Sequence, residues 1–232
     1  MTEASMENLG ESRITVWDRP IRLVHWSLVA LLPALWWTAE QGEFTWHMAL
    51  GVVTLAVLVF RLLWGFVGSS TARFDGFVRG PRAVASYLSR QGLRQSQPII
   101  GHNPLGGWSV LAMLLLLICQ VGLGLVAGDP DDHAVGPLNH LVSFTVADRA
   151  SELHELLFNV VLALIVLHVA AVLGYLLIKR DNLIRPMVTG QKTYTSAVAQ
   201  PAVARPLRAL LCGAVATGLA WWLYAGAPLP LN

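Results

Sequence analysis

The chain has 232 residues, 55% hydrophobic and only 13% charged, with 16 basic against 14 acidic side chains. So few charges, with the apolar residues gathered in runs of about twenty, exclude an ordinary soluble domain and point to an integral membrane protein. The formal charge of +2 is uninformative as a total, but its distribution along the chain is not; no nucleic-acid partner is expected. Two cysteines with no Cys-x-x-Cys pair exclude a thiolate metal cluster and covalent cofactor attachment through Cys-x-x-Cys-His.

The first twelve residues are polar and acidic, without the basic-then-apolar pattern of a cleaved signal, so the first apolar run is expected to remain as a helix. Five spanning helices are predicted, over residues 24–39, 46–67, 105–127, 152–178 and 207–225. Cys119 and Cys212 both fall inside them and are not expected to form a disulfide. Trp17, Trp26, Trp36, Trp37, Trp46, Trp64, Trp108, Trp221 and Trp222 lie near the ends and read as interfacial anchors.

Orientation follows from Lys and Arg. Arg13, Arg19 and Arg22 precede the first span. Arg73, Arg79, Arg82, Arg90 and Arg94 separate the second and third. Lys179, Arg180, Arg185, Lys192, Arg205 and Arg208 follow the fourth. The other two connections hold Glu40, Glu43, Asp129, Asp131, Asp132 and Asp148 against the single base Arg149. A cytoplasmic N-terminus and an outer C-terminus are therefore expected. Residues 189–206, rich in Ala, Ser, Thr and Pro, read as a linker, and 226–232 as a short outer tail. The expected fold is all-α: a four-helix membrane bundle over 1–192, then a linker and one accessory C-terminal transmembrane helix over 193–232.

Four of the seven histidines lie within predicted spans. His154 and His168 are fourteen residues apart in one apolar run, nearly four helical turns, so their imidazoles leave almost the same face. At about 1.5 Å per residue they are roughly 21 Å apart along the axis, most of a hydrocarbon core about 30 Å thick. His25 opens the first span on the inner side, and His47 opens the second on the outer side. Depth then pairs His47 with His154 outside and His25 with His168 inside. Each histidine alone is accounted for equally well by helix packing or an interfacial position. Four matched in depth are better accounted for by ligation, because ionisable groups at membrane depth are costly. Zinc would need more ligands at one depth. Two planar hemes, each held by two imidazoles, fit the pattern; such ligation leaves iron no open position and suits electron transfer.

Gly51, one turn after His47, would admit a macrocycle or simply close helix packing. Arg22 and Arg61 near the inner face would pair with heme propionates or serve as ordinary cytoplasmic flanks. His102 and Asn103 enter the third span in a turn-rich stretch; their polar groups suit a quinone carbonyl, although a plain helix start explains them as well. His133 and His140 are expected in solvent in the outer loop.

At these residues the chain resembles the bacterial cytochrome b561 family, which includes the cytochrome b subunits of nickel-iron hydrogenases. The motifs are Arg22-Leu-Val-His25-Trp26, His47-x3-Gly51 running to Arg61-Leu-Leu-Trp-Gly65, Gly80-Pro81-Arg82 and Gly101-His-Asn-Pro-Leu-Gly-Gly-Trp108. They continue with Leu153-His154-Glu155, Leu167-His168 and Asp181-Asn182-Leu183, so the resemblance covers about residues 14–192. It implies a four-helix bundle with two hemes b on His25, His47, His154 and His168, and electron exchange with membrane quinone near the cytoplasmic heme. It leaves the partner open between a hydrogenase and a periplasmic cytochrome c, and a homo-oligomer open as well. The first expectation is therefore a diheme membrane cytochrome b between quinone and a periplasmic redox protein. A stand-alone quinol oxidase delivering electrons to a small acceptor such as superoxide comes second, and a non-redox scaffold or transporter third. The absence of internal repeats and broken helices weighs against a transporter.

Overall fold

The structure, a computed structural model, describes residues 12–90, 99–128, 134–195 and 198–227. The expectations on Arg94, Asp129, Asp131, Asp132, His133 and residues 228–232 fall outside them, as does the side chain of Arg90. A strand β1 (Ser12–Thr15) leads into α1 (Arg19–Glu40) and α2 (Phe44–Val67). Two short helices, α3 (Phe74–Phe77) and α4 (Pro81–Arg90), precede α5 (Pro104–Val126) and the long α6 (Phe144–Leu177). Then come α7 (Ile184–Thr189), β2 (Gln191–Tyr194) and α8 (Pro206–Tyr224). Among the described residues five helices are long and apolar enough to cross a membrane: α1, α2, α5, α6 and α8. The chain is an integral multi-pass membrane protein with the expected all-helical bundle.

Local chemistry sets the helix starts. Asp18 caps α1 by accepting from the Ile21 N–H at 2.8 Å, and Asn103 caps α5 by accepting from the Gly106 N–H at 2.7 Å. A proline follows each cap inside the first turn, where its missing N–H costs nothing. The fourth span begins earlier than its hydropathy suggests: α6 starts at Phe144, eight residues before the predicted 152. Asp148, Arg149 and Glu152 lower the hydropathy of that first stretch, yet the backbone stays helical and Arg149 pairs with Glu152 one turn on.

Packing proceeds in pairs. α1 lies along α2, α5 along α6, and α2 bridges the two pairs through α5. α8 packs on α2, burying Cys212, Ala216 and Ala220, and its Arg208 donates to the Val67 carbonyl at the end of α2. Small residues allow this close approach, since membrane helices associate by packing rather than by excluding water. α6 makes no extended backbone approach to α1 or α2.

The antiparallel ribbon β1–β2, pairing Ser12 with Tyr194 through to Thr15 with Gln191, was not anticipated. It marks what is called here the ribbon end, opposite the far end that carries the α1–α2 turn. The predicted linker is correspondingly shorter than 189–206. Thr189 belongs to α7, Gly190 turns the chain at φ 83°, and β2 follows. The Gly190 carbonyl accepts from both the Val16 and Trp17 N–H groups, at 2.8 and 3.1 Å. A Cβ on Gly190 would lie 2.7 Å from the Trp17 carbonyl oxygen. With a left-handed backbone and a backbone clash together, Gly190→Ala should cost roughly 2 kcal/mol or more, read as a fall in the thermal midpoint in detergent.

Seven of the nine tryptophans are exposed on the helices, as interfacial anchors would be. Trp17 and Trp64 are core residues instead. Trp64, 1% exposed, donates its indole N–H to Asp18 at 2.9 Å, so a buried acceptor rather than the headgroup region satisfies it.

Candidate functional site

Both depth-assigned pairs meet in space. His47, at the start of α2, faces His154 on α6 with ring centres 6.1 Å apart. His25, in the second turn of α1, faces His168 at 6.5 Å. The first pair lies toward the far end and the second toward the ribbon end. Histidines thus face one another where α6 stands away from α1 and α2. No group of three or more His, Cys, Asp or Glu side chains that could hold a metal ion occurs among the described residues, so the histidines act as pairs.

At the far pair both tautomers follow from the acceptors. His47 Nδ1 lies 2.9 Å from the Leu35 carbonyl oxygen, and His154 Nδ1 lies 2.8 Å from that of Gln120. A carbonyl only accepts, so each Nδ1 carries the hydrogen and each Nε2 keeps a free lone pair. Gln120 also donates its side-chain N–H to the His154 carbonyl at 3.0 Å. At the ribbon end, His25 Nδ1 is buried without a partner.

Arg61 lies fourteen residues after His47 on α2, the same interval that separates His154 from His168 on α6. The two helices run in the same direction, so Arg61 lies at the depth of His168. It is 5% exposed, flanked by the Phe74 and Phe77 rings, and one terminal nitrogen has no partner. Arg22, one turn before His25, donates to the Val188 carbonyl, while its Nε is buried and unpartnered. A Cβ on Gly51 would meet nothing within 4 Å, leaving the flank of His47 open.

The turn before α5 is more constrained than its composition suggests. Asn103 spends its oxygen on the α5 cap and donates its amide to the Tyr175 hydroxyl at 2.9 Å; that hydroxyl is 2.6 Å from the Tyr87 hydroxyl on α4. His102 sits between the Trp17 and Phe77 rings, each 4.7 Å away. Its Nδ1 is sealed from solvent and unpartnered. Burial, reinforced by the charge of Arg61, pushes its pKa down to about 3, so it is neutral at physiological pH. A cleft of about 330 Å³ opens beside it, lined by Ser70, Thr71, Phe77, Ile100 and Gln200 among others.

Residues 16–190 match the family model described as prokaryotic cytochrome b561. The chain belongs to the prokaryotic cytochrome b561 family. It is therefore a membrane cytochrome b of electron transport, and a non-redox scaffold or transporter is set aside. Among the relatives of this b561 chain is a probable Ni/Fe-hydrogenase B-type cytochrome subunit from Rhizobium leguminosarum bv. viciae, 24% identical over 78% of this chain and 89% of the relative. Another is a probable Ni/Fe-hydrogenase 1 B-type cytochrome subunit from Escherichia coli K12, 22% identical over 77% of this chain and 90% of the relative. No solved structure matches.

Two residues unnoticed in the sequence pack against the far histidine pair. Gln120 carries no signal there beyond being a polar residue in an apolar span. Gly124, one turn further along α5, lies so close to His154 that a Cβ would come within 3.0 Å of the ring.

Proposed function

We propose that this cytochrome holds two hemes b, one between His47 and His154 and one between His25 and His168, and carries electrons between membrane quinone and a periplasmic redox protein. The observation that carries this reading is the spacing of the two ring pairs. A metal–imidazole bond is about 2 Å, so two imidazoles sharing one metal have ring centres roughly 6 to 6.5 Å apart. The pairs at 6.1 and 6.5 Å meet that requirement. The free Nε2 atoms of His47 and His154 supply the lone pairs for one site. Arg61 and Arg22 offer unpartnered guanidinium nitrogens to the carboxylates of the ribbon-end heme, since a buried cation needs an anion. Gly51 leaves room along α2.

Bound heme supplies a reversible one-electron couple, and ligation from both sides directs it to transfer rather than to oxygen chemistry. The chain's own contribution is to fix the imidazoles, exclude water and set the two stations across the bilayer. The distribution of basic residues supports a cytoplasmic ribbon end and a periplasmic far end in the bacterial inner membrane. The hydrogenase cytochrome names of the relatives support a hydrogenase-type partner at the far end, with a c-type cytochrome as the other candidate.

The quinone headgroup is assigned to the ribbon end, at the cleft beside His102 and the Asn103 turn. Neutral His102 can donate or accept there, and Asn103 acts on that side through Tyr175. Asn103→Ala should slow reduction by a short-chain quinol several-fold with the heme spectrum unchanged, as stopped-flow absorbance would show. Reduction at the wild-type rate would return Asn103 to the role of a helix cap. Steady-state turnover with quinol should require an added periplasmic acceptor; rapid oxidation by superoxide alone would favour the stand-alone oxidase.

A further inference from the structure

The two histidine pairs differ in what surrounds them. At the far pair both rings donate an N–H to a backbone carbonyl, His47 to Leu35 and His154 to Gln120. Gln120 grips His154 a second time, its side-chain N–H donating to the His154 carbonyl. That contact decides the orientation of the amide, because turning it over would set oxygen against oxygen. Gly124 stands one turn further along the same face of α5. Its missing side chain lets the imidazole lie against the helix, with an ideal Cβ only 3.0 Å from Cε1 and 3.2 Å from Nδ1. Gln120 and Gly124 together form a seat that sets the position and tautomer of this one ring.

The ribbon-end pair has a different environment. His25 Nδ1 is buried with no acceptor, and the buried cation Arg61 lies at the depth of His168 with a nitrogen unpartnered. An imidazole that donates its second N–H to a carbonyl becomes a stronger electron donor to the metal, which favours ferric iron. A buried positive charge nearby favours the added electron instead. Both differences act in the same direction.

We propose that Gln120 and Gly124 are positioning residues that hold His154 as a strong donor, so that the far-end heme is the lower-potential centre of the two. This rests on the two-heme reading above.

Redox titration of the heme-loaded protein, followed by visible absorbance and by low-spin ferric electron paramagnetic resonance, tests this. His154→Ala and His168→Ala identify the component belonging to each site. In the unsubstituted protein the component retained by His168→Ala should be the lower by at least a tenfold ratio of reduced to oxidised, which is 59 mV for one electron. Gln120→Met, close in volume, and Gly124→Ala should each raise that component, shift its ferric signal and leave the other in place. The ribbon-end heme thus serves as an internal reference against general loss of structure. Two bound hemes with the far one higher in potential would overturn the proposal, as would two unmoved midpoints in both variants. Fewer than two hemes in the unsubstituted protein would instead overturn the two-heme reading on which it rests.

Discussion

His168→Ala should reduce the heme content from two per chain to one, and His154→Ala should do the same at the other site. A pyridine hemochrome assay on purified protein reads this directly, and all the heme should pass into acidified organic solvent, because no Cys-x-x-Cys-His is present to hold it covalently. The two histidines leave nearly the same face of α6 about 21 Å apart, so neither ring can substitute for the other. Removing His168 leaves His25 without its facing imidazole, while Arg61, at the same depth, still lacks an anion. Removing His154 leaves His47 facing the seat formed by Gln120 and Gly124. Redox titration should then lose a different component in each variant. Loss of the same component from both would mean that the histidines do not pair by depth.

Asp18→Ala should be the most destabilising single change outside the histidines. The carboxylate is 6% exposed and performs two tasks: one oxygen caps α1 through the Ile21 N–H, and the other accepts the indole N–H of Trp64 on α2. Loss of a side-chain cap costs about 1 kcal/mol. A buried indole N–H left without an acceptor costs roughly 1 to 3 kcal/mol more. Together this predicts a loss of about 2 to 4 kcal/mol, seen as a clear fall in the unfolding midpoint in detergent. Asn can cap the helix but cannot offer an acceptor to both donors, so Asp18→Asn should fall between Ala and the unsubstituted protein. If Ala and Asn were equally mild, the Trp64 contact would contribute little to holding α1 on α2.

The spans and the histidine intervals were legible in the sequence because both are local. A bilayer demands about twenty apolar residues per crossing, and the helical repeat decides which side chains share a face. His154 and His168 on one run of α6, and His25 and His47 at opposite ends of α1 and α2, follow from counting alone. The same counting missed the first eight residues of α6, because hydropathy records lipid contact and not helicity. It also misplaced Trp17 and Trp64, since an indole suits a headgroup region and a buried carboxylate equally well.

What the sequence by itself determined about this protein is its class, its five helices long and apolar enough to cross a membrane, and the spacing of the four histidines along them. The β1–β2 ribbon joins segments about 180 residues apart and depends on where α6 ends relative to α1. The acceptors for His47 and His154 are backbone carbonyls of Leu35 and Gln120, on neighbouring helices. Every residue has a carbonyl, so no residue type announces one that receives an imidazole N–H. Only the rotation of each packed helix about its own axis selects it. The same rotation brings Gly124 against His154 and turns Arg61 between Phe74 and Phe77. Tertiary structure therefore decided the tautomers and the unequal surroundings of the two pairs, because these depend on the angular registration of helices and not on periodicity along any one of them.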